Sequence, residues 1–246
     1  MLSFFLVSFT ASFVGSILGL GGGFILVPAL AYIVRVPFKD AVFLSLCSIF
    51  FLSTLKLLKH REQVRPHAKD FFLLTFLSGV GALTASYLVP HIHSRSLEIA
   101  FSLLLCAISV RMFLEKKGDE LVQVPRKHKL AYPLFFTSGT LAGFFGIGGG
   151  ILNIPILYRV LRHSMKEASV LNYFFIFLSC GVAVLVQFQT RRAQIEMLPA
   201  LTIVFLLAGT YTGFRLSAFV KLSNNGLRLL FAVILFSIGL SRLILL

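Results

Sequence analysis

The residues best suited to chemistry in this sequence are glycines, in two clusters: Gly19, Gly21, Gly22 and Gly23, then Gly146, Gly148, Gly149 and Gly150. A proline follows each cluster five residues after its last glycine, Pro28 and Pro155. Glycine puts no side chain between a ligand and the backbone. Where such a cluster opens a helix, the first N–H groups have no internal acceptor, and the helix dipole adds partial positive charge. Two converging helix starts of this kind make an anion site that needs no arginine. Glycines also serve close helix packing in membranes, but two matched copies, each with its proline, point to a site. Asn153 falls in the first turn of the second short helix, where the other copy has Leu26. Ser45 and Ser48 lie on the helix after the first cluster, and Asn172 is the counterpart of Ser45 in the second copy. The expected substrate-binding set is therefore Gly19, Gly21, Gly22, Gly23, Ser45, Gly146, Gly148, Gly149, Gly150, Asn153 and Asn172, with Pro28 and Pro155 as structural residues of the motif.

Other chemistries lack their parts. A dinucleotide fingerprint needs a third glycine where Phe24 and Ile151 stand, and an acidic residue further on. His91 and His93 follow Pro90 and read as a solvated loop at the membrane interface rather than metal ligands. The carboxylates (Asp40, Glu62, Asp70, Glu98, Glu115, Asp119, Glu120, Glu167 and Glu196) all fall at helix ends or in loops. A carrier coupled to protons or sodium usually holds an acid inside the membrane, so cation transport is disfavoured. Cys47, Cys106 and Cys180 sit in apolar runs without disulfide or metal spacing. No metal, cofactor or catalytic residue is expected, and no enzyme.

The elements that must position these groups follow from composition. Hydrophobic residues make up 57% of the 246 and charged ones 13%, with a mean hydropathy of +0.92. Soluble domains carry about twice that charged fraction. Apolar runs over 41–55, 71–90, 97–114, 168–190, 197–214 and 227–246 approach the ~20 residues that a bilayer-spanning helix needs. The net charge of +14 is gathered in short loops, such as Lys56 to Lys69 and Arg126 to Lys129. That is the excess expected beside cytoplasmic helix ends, and it argues against a nucleic-acid partner. The first residues have no basic stretch or cleavage site of a secretory signal. The expected partners are the lipid bilayer and a small anionic substrate.

The chain also repeats itself. Residues 19–50 align without a gap to 146–177, matching the four glycines, the proline, Arg35 with Arg162, Lys39 with Lys166, and Ala41 with Ala168. A straight helix through 2–34 would be about 50 Å long, too long for one span. Each half is therefore expected to open with a helix broken at the glycines, followed by a half-membrane helix that turns back. Three full crossings per half would then invert the halves relative to each other and put both termini outside, with the basic loops cytoplasmic in a cell inner membrane. The expected fold is an all-α polytopic membrane protein of two inverted repeats, each a re-entrant broken-helix pair plus three transmembrane helices. Residues 1–118 form the first repeat, 119–129 a cytoplasmic linker and 130–246 the second.

The doubled glycine motif with its proline resembles the sulfite exporter TauE/SafE family of membrane transporters, over nearly the whole chain. That resemblance implies transport of sulfur-containing anions such as sulfite, sulfoacetate or thiosulfate, often outward. It places Gly19, Gly21, Gly22, Gly23 and Pro28 in the first motif, and Gly146, Gly148, Gly149, Gly150 and Pro155 in the second. Members commonly carry Thr-Ser in the following helix, where this chain has Leu44-Ser45 and Leu171-Asn172. Two other readings remain at this point: an accessory membrane protein for assembly of a redox complex, and a sulfur relay using Cys47 or Cys180.

Overall fold

The structure, a computed structural model, describes residues 2–18, 22–64, 68–114, 128–161, 164–191 and 200–217, together with 219, 233, 236–241 and 244. Every element among the described residues is helical. In chain order these are α1 (Leu2–Leu18), α2 (Gly23–Pro28) running into a π-helical turn (Ala29–Ile33), α3 (Phe38–Lys59), α4 (Arg61–Val64), α5 (Ala68–Leu88) and α6 (Ser94–Leu114). Then come α7 (His128–Phe145), α8 (Gly150–Pro155) with its own π-helical turn (Ile156–Val160), α9 (Met165–Thr190) and α10 (Ala200–Ser217). The run at 227–246 and the 119–129 linker lie largely outside the described residues, as do Gly19 and Gly21.

Three helical segments, Phe38–Lys59, Phe71–His91 and Glu167–Thr190, are long and apolar enough to cross a membrane. The polarity is arranged for lipid. Large apolar side chains such as Phe72, Phe76, Tyr87, Leu103, Leu185 and Val204 are exposed, while Ser8, Ser12, Ser45, Ser53, Ser138 and Thr210 are buried. A water-soluble protein would expose far less contiguous apolar surface.

Element boundaries recur at a spacing of 127 residues: Leu18 and Phe145 end a helix, Gly23 and Gly150 begin one, Ala29 and Ile156 begin the π turns, and Phe38 and Met165 begin the long helices. The long helices α3 and α9 run antiparallel. Asp40 near the start of α3 meets Arg191 just past the end of α9, Phe50 stacks on Phe177 at 5.1 Å, and Lys56 near the end of α3 sits over Tyr173 near the start of α9.

The two most extensive helix pairings also cross between the halves of the chain. Helix α1 packs along α10, and α7 packs along α5. Glycine makes both contacts possible. A Cβ at Gly139 would strike the backbone of Ser78, and one at Gly143 would lie 2.6 Å from the Ala82 carbonyl oxygen. On the other side, Gly209 abuts the Phe5 carbonyl and Gly213 the Phe9 carbonyl. Lipid supplies no hydrophobic drive for helix association, so such close backbone approach and its dispersion energy hold the pairs. The main core lies between α3 and α9 and includes Phe24, Leu46, Ile49, Phe145, Ile147 and Ile176.

Candidate functional site

After both glycine clusters the short helix starts in the same way. Gly22 (φ 83°, ψ −7°) caps α2 and Gly149 (φ 67°, ψ −8°) caps α8, in a left-handed conformation that L side chains seldom adopt. The Gly22 carbonyl accepts the amides of Ile25 and Leu26 at 3.1 Å, and the Gly149 carbonyl those of Leu152 and Asn153 at 3.0 Å. Pro28 and Pro155 then deny the helix an N–H and crowd the carbonyl one turn back, and the chain widens into a π turn after each. The prolines therefore shape how each short helix leaves the break.

The two breaks meet. Gly23 faces the Gly146 carbonyl and the Ile49 side chain, and a Cβ built on it would lie 2.9 Å from Ile147 Cα. Ser45 Oγ donates to the Gly146 carbonyl at 2.7 Å, so a hydroxyl from α3 fastens the second break. The described parts of the breaks touch. Gly148 packs against Ile49 and Ile176, and Gly150 is buried. Asn172 is fully buried on α9. Asn153 is fully buried as well. Its Oδ1 accepts from Ser138 Oγ at 2.6 Å, while its Nδ2 amide has no hydrogen-bond partner. That amide lies near Gly149, 3.5 Å from where a Cβ on that glycine would stand.

A narrow cleft of about 10 Å³, room for roughly one water molecule, lies beside the first break, between α1, α2, α3 and α10. Ser8, Ser12, Ser48 and Thr210 give it four hydroxyls, and Ala11, Leu26, Ile49 and Leu52 complete its wall. Three hydroxyls bond to helix carbonyls: Ser8 to Phe4, Ser12 to Thr210 across the α1–α10 contact at 2.7 Å, and Thr210 to Leu206. Ser48 Oγ, buried at 2% exposure, has none. At the positions 127 residues further on, Ser8 and Ser48 become Phe135 and Phe175, whose rings stack at 4.2 Å. The space that hydroxyls leave open in one half is filled by aromatic rings in the other. Sequence reasoning picked out Ser48 but missed Ser8, Ser12 and Thr210; the four-residue spacing of the two serines on one helix face was the available signal.

Charges sit at the ends of this core. At one end Arg191, 5% exposed, pairs with Asp40 and donates to the Lys39 carbonyl at 2.8 Å. At the other, Lys56 Nζ lies over the rings of Tyr173 and Phe214. His60, just beyond α3, is held below the ordinary histidine value by burial first, then by the charges of Lys56 and Lys59. With Lys56, Lys59 and Arg61 close together, that end of the core is basic. Cys47 and Cys180 are both free thiols.

Comparison with known protein families matches residues 4–242 to the family described as sulfite exporter TauE/SafE. The chain belongs to the sulfite exporter TauE/SafE family. Among its TauE/SafE relatives is a Bacillus subtilis (strain 168) protein named probable membrane transporter protein YunE. It is 29% identical over 200 residues, covering 69% of this chain and 71% of that one. The probable membrane transporter protein MJ0441 of Methanocaldococcus jannaschii is 30% identical over 169 residues, covering 66% and 63%. A Haemophilus influenzae protein, again named probable membrane transporter protein, is 23% identical over 241 residues, covering 92% and 89%. No solved structure matches. This TauE/SafE protein is thus a membrane transporter, and the helices long and apolar enough to span a bilayer agree with that class.

Proposed function

We propose that this TauE/SafE protein exports a small sulfur-containing anion of the sulfite, sulfoacetate or thiosulfate class, through a midplane site at its two glycine breaks. The observation that carries this reading is the Asn153 Nδ2 amide, buried at the second break with no acceptor. A buried donor left unpaired costs about 1–3 kcal/mol, and an oxyanion would supply the missing acceptor. Ser48 Oγ at the first break has the same need. Each short helix start adds its dipole and its first amides, and no carboxylate among the described residues stands inside the core to repel an anion.

Two inverted repeats, 1–118 and 130–246 joined by the 119–129 linker, account for the constant 127-residue spacing, the antiparallel α3–α9 pair and the exchanged pairings of α1 and α7. Direct contact between the breaks corresponds to an occluded conformer, which opens when the repeats rock against each other. With the basic loops cytoplasmic, a negative interior drives an anion outward by about 2.3 kcal/mol per charge per 100 mV. The test is flux through purified protein in liposomes, offering sulfite, thiosulfate, sulfate, sulfonates and carboxylates in turn. Selective movement of one or more sulfur oxyanions is expected; movement of carboxylates alone, or of no anion, removes the proposal.

A further inference from the structure

Lys56 is a cation without a counter-ion: among the described residues no carboxylate lies within ion-pair reach of its ammonium. Its Nζ instead sits 5.4 Å from the ring centroid of Tyr173 on α9 and 5.1 Å from that of Phe214 on α10. A lysine at a helix end ordinarily extends its ammonium to the headgroups, as its neighbour Lys59 does more nearly, with an exposed side chain 5.9 Å from the Phe214 centroid.

Register connects this cation to the hydroxyl-lined cleft. Ser48, Leu52 and Lys56 follow one another at four-residue spacing along one face of α3, and the first two line the cleft. On α10, Thr210 lines the cleft and Phe214 stands one turn further on. Lys56 and Phe214, in contact with each other, thus each stand one turn beyond a residue that lines the cleft. Beside them the Tyr173 hydroxyl is buried, the residue being 4% exposed, and it has no hydrogen-bond partner.

Aromatic faces hold a cation without neutralising it. A carboxylate would cancel the charge; two rings leave it available to a full negative charge, which attracts it more strongly than a ring quadrupole does.

Building on the transport reading above, we propose that Lys56, with the Tyr173 hydroxyl, is the capture site for a small oxyanion at the basic end of the pathway, and that Phe214 is its lid. The arriving anion draws the ammonium off the two rings, accepts from the tyrosine hydroxyl, and passes to the hydroxyls of the cleft one turn deeper as Phe214 gives way.

The test uses full-length protein in liposomes with radiolabelled sulfite and thiosulfate as probes, and each variant's monodispersity is checked in detergent. Lys56→Gln and Lys56→Met should raise KM by roughly tenfold or more with a smaller change in kcat, since a lost charge contact of that size is about 1.4 kcal/mol. Lys56→Arg should restore KM, and Lys59→Gln should leave it unchanged. In the unaltered protein, thiosulfate should slow acetylation of Lys56 by an N-hydroxysuccinimidyl ester and spare Lys59, a readout that needs no variant to fold. If the wild type carries either anion while Lys56 variants keep its KM, or if thiosulfate leaves Lys56 acetylation unaltered, the capture site is refuted and transport stands. If the wild type moves no anion at all, the transport reading fails and takes this assignment with it.

Discussion

Replacing Asn153 by leucine separates a binding role from a packing role, because the two predict opposite signs. Leucine is what the other half carries at the matching position, Leu26, so the short helix accepts it sterically. The substitution removes one hydrogen bond, from Ser138 Oγ at 2.6 Å, a loss of about 1 kcal/mol. It also removes an amide buried without a partner, a gain of about 1–3 kcal/mol. Stability should therefore stay level or rise. Transport should move the other way. A hydrogen bond to a charged partner contributes about 1.5–3 kcal/mol, so kcat/KM should fall by roughly 10- to 150-fold. Both are measured on one preparation: initial rates of radiolabelled sulfite or thiosulfate flux in liposomes, and thermal unfolding in detergent. A leucine variant that transports like the wild type but melts several degrees lower would make Asn153 a packing residue, and the midplane site would lose its main support.

Three further outcomes follow from the geometry. Ser48→Phe, which copies Phe175 of the other half into the cleft, should abolish flux while the protein stays monodisperse; undiminished flux would mean that the cleft is not on the pathway. Arg191→Gln leaves Asp40 facing a neutral group and should destabilise by about 3 kcal/mol, seen as a lower melting temperature, whereas an unchanged melting temperature would show the pair to be a surface contact. Gly139→Leu drives a side chain into the Ser78 backbone and should prevent assembly altogether, giving aggregated rather than inactive protein on gel filtration.

The helical membrane class was legible in composition and in the length of the apolar runs, and the two breaks in the glycines. Pro28 and Pro155 marked the point at which each short helix changes pitch, although the π turn itself is a response of the whole backbone that no residue type spells out. What stayed hidden was contact across the chain. The touching of Gly23 and Gly146, the hold of Ser45 on a distant carbonyl, and the hydroxyl bond from Ser12 of α1 to α10 depend on which helices become neighbours. Local periodicity carries no such information. The long helix α3 also outran its sequence estimate, because Lys56 and Lys59 continue it to 59 rather than ending it.

The exchanged pairing of α1 with α10 and α7 with α5 has a consequence for biogenesis. Helix α1 enters the lipid before its mate, which follows only after eight intervening helices, so its glycine-contacting face waits unpaired while those helices are inserted. Quality control has a long window there, and α1 is a segment that a chain terminated before α10 would leave stranded.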